Sequence, residues 1–238
     1  MSPGLGQMTN SKNSSGSLYI VATPIGNLQD ITPRALEILN SVDYIASEDT
    51  RVSGRLLSRY GIKTRQTSYY EHKEEIKAPK IIQDITDGKS VALITDAGTP
   101  LISDPGYRLV NLAVKSDIDV VPIPGPSSVL AALSISGFPT DSFCFEGYPP
   151  RTAGKLRRFF ENLKDESRTI VLFETPHRIK KCLVAMLEVM GEREILIARE
   201  LTKKFEEKIR GDVSSILDRI EKKPLKGEMV VVIRGSDK

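Results

Sequence analysis

Residues 91–106, VALITDAGTPLISDPG, change character twice, and no other stretch constrains the chain as tightly. The apolar run Val91-Ala92-Leu93-Ile94 reads as a strand buried on both faces. Asp96-Ala97-Gly98-Thr99-Pro100 breaks it, because Gly and Pro oppose regular continuation and Asp favours turns. A second break, Ser103-Asp104-Pro105-Gly106, puts Asp104 in position to cap a helix with Pro105 as its first residue, and Leu109, Leu112 and Ala113 then recur on one helical face. The stretch is a strand, a long Gly/Pro loop and a helix. In an open α/β sheet, ligands bind beyond the carboxyl ends of the strands, where exposed backbone N–H groups suit a polar small molecule.

The pattern recurs twice. A strand over 18–22 runs into Thr23-Pro24-Ile25-Gly26-Asn27-Leu28, with Thr32-Pro33 opening the next helix. Another, over 119–123, runs into Pro124-Gly125-Pro126-Ser127-Ser128 and an apolar helix. Between them the chain reads as a strand over 42–46 ending in Ser47-Glu48-Asp49-Thr50-Arg51, and a helix to Tyr60 with Gly61 at its C′ position. A strand over 64–69 follows, then a charged helix that Pro79 is expected to kink or restart near Ala78, closed by Gly88. Past Gly137, strand-like runs cover 143–146, 169–174, 194–199, 205–210 and 229–234. Alternating strands and helices in the first half require crossovers, hence a mostly parallel sheet. The runs near 194 and 210 are joined too closely for a parallel crossover, hence a mixed second sheet. The expected fold class is α/β, with two α/β domains over 18–123 and 124–238, after a disordered tail over 1–17.

Composition excludes several classes. With 39% hydrophobic and 27% charged residues among 238, the chain is an ordinary soluble globular one. Its two cysteines, Cys144 and Cys182, lack metal-ligand spacing and read as reduced buried thiols, so no metal site is expected and the cytoplasm is favoured. No apolar run has signal-peptide or membrane-span length. Of 34 Lys+Arg and 31 Asp+Glu, residues 1–123 hold 13 and 14, leaving 21 and 17 for the rest, so the basic excess lies in the second half. Lys155-Leu156-Arg157-Arg158, His177-Arg178-Ile179-Lys180-Lys181 and Lys203-Lys204 suit phosphates or solvated helix faces equally.

Three Gly/Pro loops on one sheet edge, without GxGxxG and its acidic partner, argue against a standard dinucleotide fold. In sequence, TPIGNLQDITPRA, ASEDTR, ITDAGTPLISDPGYRLV, PIPGPSSVLAALSISGFP, FETPHR, ARELTK and KGEMV resemble, in that order, the RsmI-type branch of the tetrapyrrole methylase superfamily, the 16S rRNA cytidine 2′-O-methyltransferases. The resemblance runs from about Leu18 to Arg234. It implies two α/β domains with S-adenosylmethionine in the cleft between them, a homodimer, and as acceptor a decoding-centre ribose (cytidine 1402) of 16S rRNA in the small ribosomal subunit, with no membrane. Many members continue past the last strand into a helical extension, whereas this chain stops at Lys238. Acceptor contacts made by such an extension are expected to be missing or made elsewhere. Pro79 is a second departure, outside every motif.

S-adenosylmethionine presents a zwitterion, a sulfonium and an adenosine, so its site needs backbone donors and acceptors, small residues and an apolar slot. By resemblance and position, the cofactor is assigned to Pro24, Gly26, Asp96, Ala97, Gly98, Leu101, Ser127 and Ser128, with Ala198, Gly227 and Glu228 from the second domain. Turn geometry alone also explains the glycines and Asp96. Methyl transfer to a ribose hydroxyl is an in-line displacement needing alignment and proton loss. Glu48, Asp49 and Arg51 are the catalytic candidates, with Glu174, Glu200 and Lys203 as further sources of a base. An ion-pair and capping cluster explains Glu48-Asp49-Thr50-Arg51 equally well, and His177 either binds or merely begins a helix. Two rival functions remain. A precorrin-type methyltransferase is disfavoured by Thr23-Pro24-Ile25-Gly26-Asn27 where a GxGPG-type loop is usual, and a non-catalytic ribosome-binding protein by three intact loops.

Overall fold

The computed structural model describes residues 16–237. The expected tail over 1–17 lies outside them except for Gly16 and Ser17, which are tied in: the Gly16 amide donates to the Ile85 carbonyl and the Val91 amide to that of Ser17, both at 2.9 Å.

Strands β1 (Leu18–Val21), β2 (Tyr44–Ser47), β3 (Gln66–Ser68), β4 (Val91–Ile94) and β5 (Val120–Ile123) form one sheet in the order β3-β2-β4-β1-β5, with every pairing parallel. Its crossovers use α1 (Pro33–Ser41), α2 (Thr50–Arg59), α3 (Glu74–Thr86) and α4 (Tyr107–Lys115). Alternate residues of the same strand feed opposite cores. Val91 and Leu93 pack with Ile81, Ile85 and Leu109 of α3 and α4. Ala92 and Ile94 pack with Ala35, Leu39, Leu56 and Leu57 of α1 and α2. That two-sided burial is why β4 reads as an unbroken apolar run.

Helix starts follow local chemistry. Thr32 accepts from the Ala35 amide with Pro33 behind it, and Asp49 accepts from that of Arg51. Two expectations are corrected here. Helix α3 runs unbroken past Pro79 instead of restarting near Ala78, because burial of Ala78, Ile81 and Ile85 outweighs the one hydrogen bond that Pro79 cannot donate. Helix α4 begins at Tyr107, with Gly106 at the N-cap position (φ 137°); Asp104 does not cap it and Pro105 lies outside it. Glu74 takes over that task, accepting from the Gly106 amide at 2.6 Å.

The second half contains α5 (Ser128–Ser134), β6 (Phe143–Phe145), α6 (Ala153–Leu163), β7 (Thr169–Glu174), α7 (Ile179–Met190), β8 (Glu194–Arg199), β9 (Glu207–Asp212), α8 (Val213–Lys222) and β10 (Met229–Ile233). Its sheet has the order β6-β7-β10-β8-β9 and is mixed: β6 and β7 are parallel, the remaining pairs antiparallel. Strand β9 starts at Glu207, not Phe205, which is left 67% exposed in the β8–β9 connection. Helices α6, α7 and α8 cover one face. The other face is covered by Val129, Ala132 and Leu133 of α5 together with Ile25 from the β1–α1 loop, so the two halves share a core. Each such residue, fully buried, contributes about 1.5–3 kcal/mol for Val, Leu or Ile. Both cysteines are buried and unbridged, and among the described residues no helix is long and apolar enough to cross a membrane.

Candidate active site

Because the first sheet is all parallel, the loops after β2, β4, β1 and β5 emerge side by side at one edge. They are fastened to one another through backbone. Thr23 and Gly98 exchange hydrogen bonds at 2.9 and 3.0 Å, joining the β1 and β4 loops, and the Thr23 hydroxyl donates to the Thr95 carbonyl at 3.1 Å. The Thr99 hydroxyl reaches the Pro126 carbonyl at 3.3 Å, bringing in the β5 loop. Gly98 has φ 88°, a conformation that favours glycine.

The second half meets these loops through the β8–β9 connection. There Glu200 (φ 50°) and Thr202 (φ 64°) adopt left-handed backbone, rare outside glycine and concentrated at functional sites. The Asn27 amide donates to Thr202 Oγ1 at 3.0 Å, and a β-carbon on Gly26 would overlap Lys203 Cγ. Lys203 Nζ lies 3.1 Å from Glu200 and 2.7 Å from Glu228. Between the halves is a cleft of about 260 Å3. Its apolar wall includes Ile25, Val129, Phe173, Leu201, Met229 and Val230; its polar groups include Glu48, Asp96, Asp104, Glu228 and Lys203.

The residues singled out from sequence divide cleanly. Asp96, Ala97, Gly98, Ser127, Ser128, Ala198 and Glu228 line the cleft, as does Glu48. Pro24, Gly26, Leu101 and Gly227 are not in its wall: Leu101 packs on the core between the sheet and α3–α4, and a β-carbon on Gly227 would overlap the Glu200 side chain. Asp49 and Arg51 also lie outside the wall. Asp49 caps α2 and pairs with Arg51 at 2.6 Å, while its amide donates to Asp96 Oδ1 at 3.1 Å, linking the two strand ends. Glu174 at the end of β7 is buried and held by the Thr175 amide and Arg178. The buried Cys182 thiol also hydrogen-bonds this carboxylate. Arg178 in turn donates to the Pro149 and Pro150 carbonyls, fixing the loop that carries Tyr148 into the cleft. The basic clusters are partly neutralised, Arg157 by Glu161 and Lys180 by Glu221. His177 sits in the turn before α7.

Charge in the cleft is predominantly negative. Burial pushes the Asp104 carboxyl up to about 6, with Glu48 and Asp96 adding to the rise against an opposing Thr95 hydrogen bond. Burial also raises Asp96, reinforced by Glu48 and Asp49 and opposed by the Asp49 amide. Asp49 is held down at about 2 by its hydrogen bonds with Arg51. Burial alone would lower Lys203, but hydrogen bonds to Glu228 and Glu200 raise it. Thr95, Asp104, Tyr148 and Phe173 belong to the wall and were not read from sequence as site residues. The Asp104-Pro105-Gly106 string looked like a helix start, and nothing local brings residues 148 and 173 to this edge.

Comparisons with known proteins agree with this architecture. The family model for the Tetrapyrrole (Corrin/Porphyrin) Methylases matches residues 17–217. A protein of Mesorhizobium japonicum named ribosomal RNA small subunit methyltransferase I is 52% identical over 219 residues, 91% of this chain and 74% of that one. Its namesake from Vibrio cholerae is 46% identical over 234 residues, 96% and 81% of the two chains. Among solved structures, a cobalt precorrin-4 methyltransferase superposes with a TM-score of 0.67 at 18% identity, covering 92% of this chain and 94% of its own. A uroporphyrin-III C-methyltransferase from Thermus thermophilus gives 0.61 at 19%, covering 92% and 94%. At those identities the likeness concerns the fold.

Proposed function

This chain belongs to the tetrapyrrole methylase family and, within it, to the ribosomal RNA small subunit methyltransferase I group, and from that premise we propose that it methylates the ribose 2′-hydroxyl of a decoding-centre cytidine in 16S rRNA, with S-adenosylmethionine as donor. The observation that carries the donor is the cleft itself, in which Glu48, Asp96 and Asp104 converge opposite an apolar wall. A sulfonium nucleoside is cationic at one end and apolar at the other, and a cleft focusing negative potential favours such a ligand. Ile25, Val129, Leu201 and Val230 suit the adenine. The backbone of 96–98, with the Ser127 and Ser128 hydroxyls, offers donors and acceptors to the amino-acid end. Gly26 and Gly227 contribute by close approach of the two halves, and Pro24 and Leu101 by shaping the loops that carry the wall. When bound, S-adenosylmethionine supplies an electrophilic methyl group; the chain's own residues align the acceptor and receive its proton.

Arg51, with a side chain 87% exposed beside the cleft-facing loops, suits an rRNA phosphate. The working enzyme is a cytoplasmic homodimer with units over 18–123 and 124–238, the partner extending the basic face of 151–204. Methyl transfer from labelled S-adenosylmethionine to small subunits from a strain lacking the enzyme tests the reading. Label in 16S rRNA at a ribose is expected. Label on the base, or none in rRNA, overturns it, and sedimentation of only a 26.3 kDa species at micromolar concentration overturns the dimer.

A further inference from the structure

Resting on that reading of the reaction, the geometry points to Asp104 as the residue that receives the acceptor hydroxyl's proton, with Thr95 and Glu48 as its positioning partners. Its local sequence fits it to cap α4, and it does not do so. A buried carboxylate from α3, Glu74, accepts from the Gly106 amide instead. Asp104 is thereby released from its ordinary role and lines the cleft. The backbone is bent to put it there. Leu101 (φ 75°) and Ser103 (φ 63°) are both left-handed non-glycines, and Gly106 has φ 137°. Such conformations persist only where the surroundings over-determine them.

Hydrogen bonding then sets what Asp104 can do. Thr95 stands between Glu48 and Asp104, its hydroxyl 2.7 Å from Glu48 Oε2; its hydrogen bond with Asp104 favours the carboxylate, but burial and the neighbouring carboxylates outweigh it. The charged groups facing Asp104 are Glu48 from the end of β2 and Asp96 from its own loop, with Tyr148 in the wall opposite. Lys203, the cation of the cleft, is engaged by Glu200 and Glu228. Burial and the two neighbouring carboxylates favour proton uptake, and the carboxyl's rise to about 6 leaves it ionised at neutral pH yet more basic than an ordinary aspartate. Asp49, held near 2 by Arg51, is a far weaker base.

The step balances. The ribose oxygen bonds the methyl carbon while the carbon–sulfur bond breaks and leaves its electron pair on sulfur. The hydroxyl proton passes to the Asp104 carboxylate, so a cation and an anion become a neutral thioether and a neutral acid, and the proton later leaves to solvent.

Two measurements test this on the wild-type enzyme and Asp104→Asn, with Asp104→Ser as replacement if the amide does not fold. Single-turnover methyl transfer to small subunits at saturating S-adenosylmethionine, from about pH 5 to about pH 8, is expected to fall about 100-fold or more in the variant. Carboxyl carbon NMR of the free proteins is expected to show one aspartate titrating at about 6 in the wild type and missing from the variant. A variant that methylates at the parental rate, or a missing resonance that titrates in the ordinary aspartate range, overturns the assignment. Wild-type enzyme that leaves the subunits unmethylated overturns the substrate reading and the assignment with it; active wild type beside an unimpaired variant sinks the assignment alone.

Discussion

Gly26 and Lys203 lie against each other so closely that a β-carbon on Gly26 would overlap Lys203 Cγ and sit 2.9 Å from Thr202 Oγ1. They belong to different halves of the chain, and this is where the β1 loop touches the β8–β9 connection. Glycine is needed here for close approach, since the Lys203 and Thr202 side chains, with the Leu201 carbonyl oxygen at 3.0 Å, leave no room for a methyl group.

Gly26→Ala is therefore expected to push the β8–β9 connection outward and loosen the Lys203 contacts with Glu200 and Glu228. Overpacking of this kind typically costs about 1–3 kcal/mol. Calorimetric titration of the variant with S-adenosylmethionine is expected to show weakened binding. Binding at parental affinity would mean that the cleft does not depend on this contact.

Glu74 lies beneath α4 and supplies its cap. Glu74→Ala strands the buried Gly106 amide and is expected to lower stability by about 1–3 kcal/mol in urea unfolding. Glu74→Gln keeps an acceptor oxygen and is expected to cost less. Equal losses for the two would show that charge, not the hydrogen bond, is what matters.

Asp96 and Arg51 are predicted to fail in different ways. Asp96→Ala removes a cleft carboxylate and is expected to weaken S-adenosylmethionine binding by about 1–3 kcal/mol. Arg51→Ala and Asp49→Ala are expected to leave that binding intact while slowing methyl transfer. If Arg51 meets a phosphate, its removal also lowers the slope of log affinity against log salt for small subunits by about 0.7–0.9. Variants of residues 49 and 51 that methylate at the parental rate would reduce the pair to its capping role on α2.

Stability is expected to depend on pH through Asp104. Its folded-state value of about 6 lies above the ordinary 3.8. Between those values the folded chain holds a proton that the unfolded chain has lost, so stability falls as pH rises through the window and levels off above it. Asp104→Asn abolishes this fall. Relative to wild type the variant is expected to gain roughly 1 kcal/mol between about pH 4 and about pH 7, a figure reduced for partial solvent exposure. Urea midpoints at the two pH values check it, and a difference of opposite sign would contradict the burial of the carboxylate.

The fold was legible where hydrophobic period and turn chemistry agreed. Val91–Ile94 and Thr169–Glu174 read as strands with the bounds they have, and the crossover argument gave the parallel first sheet and the antiparallel β8–β9 pair. A restart at Pro79 was expected wrongly because the stretch around it shows the missing hydrogen bond but not the packing of Ala78, Ile81 and Ile85. Asp104 was misread for a related reason: Asp-Pro-Gly is a good helix start locally, and the competing cap, Glu74, is distant in sequence. The β8–β9 connection was ended too early, since Phe205 has strand propensity but no partner to pair with. Of the site, the loops after β1, β4 and β5 were visible as Gly/Pro breaks. Tyr148 and Phe173 were invisible, because only the assembled second sheet brings them to the cleft.

Strand order in the first sheet also bears on how the chain acquires its shape during synthesis. Strand β1 is among the first described segments to be made, yet its registers pair Leu18 with Val91 and with Val120. It has no neighbour in the sheet until β4 exists and only one until β5 follows, so loop-closure entropy must be overcome across most of the first half before β1 is held on both sides. Until then the apolar residues Leu18 and Val21, fully buried in the finished sheet, are left to water or to whatever binds nascent chains. The edge that carries the candidate active site is thus completed last, when β5 takes its place beside β1.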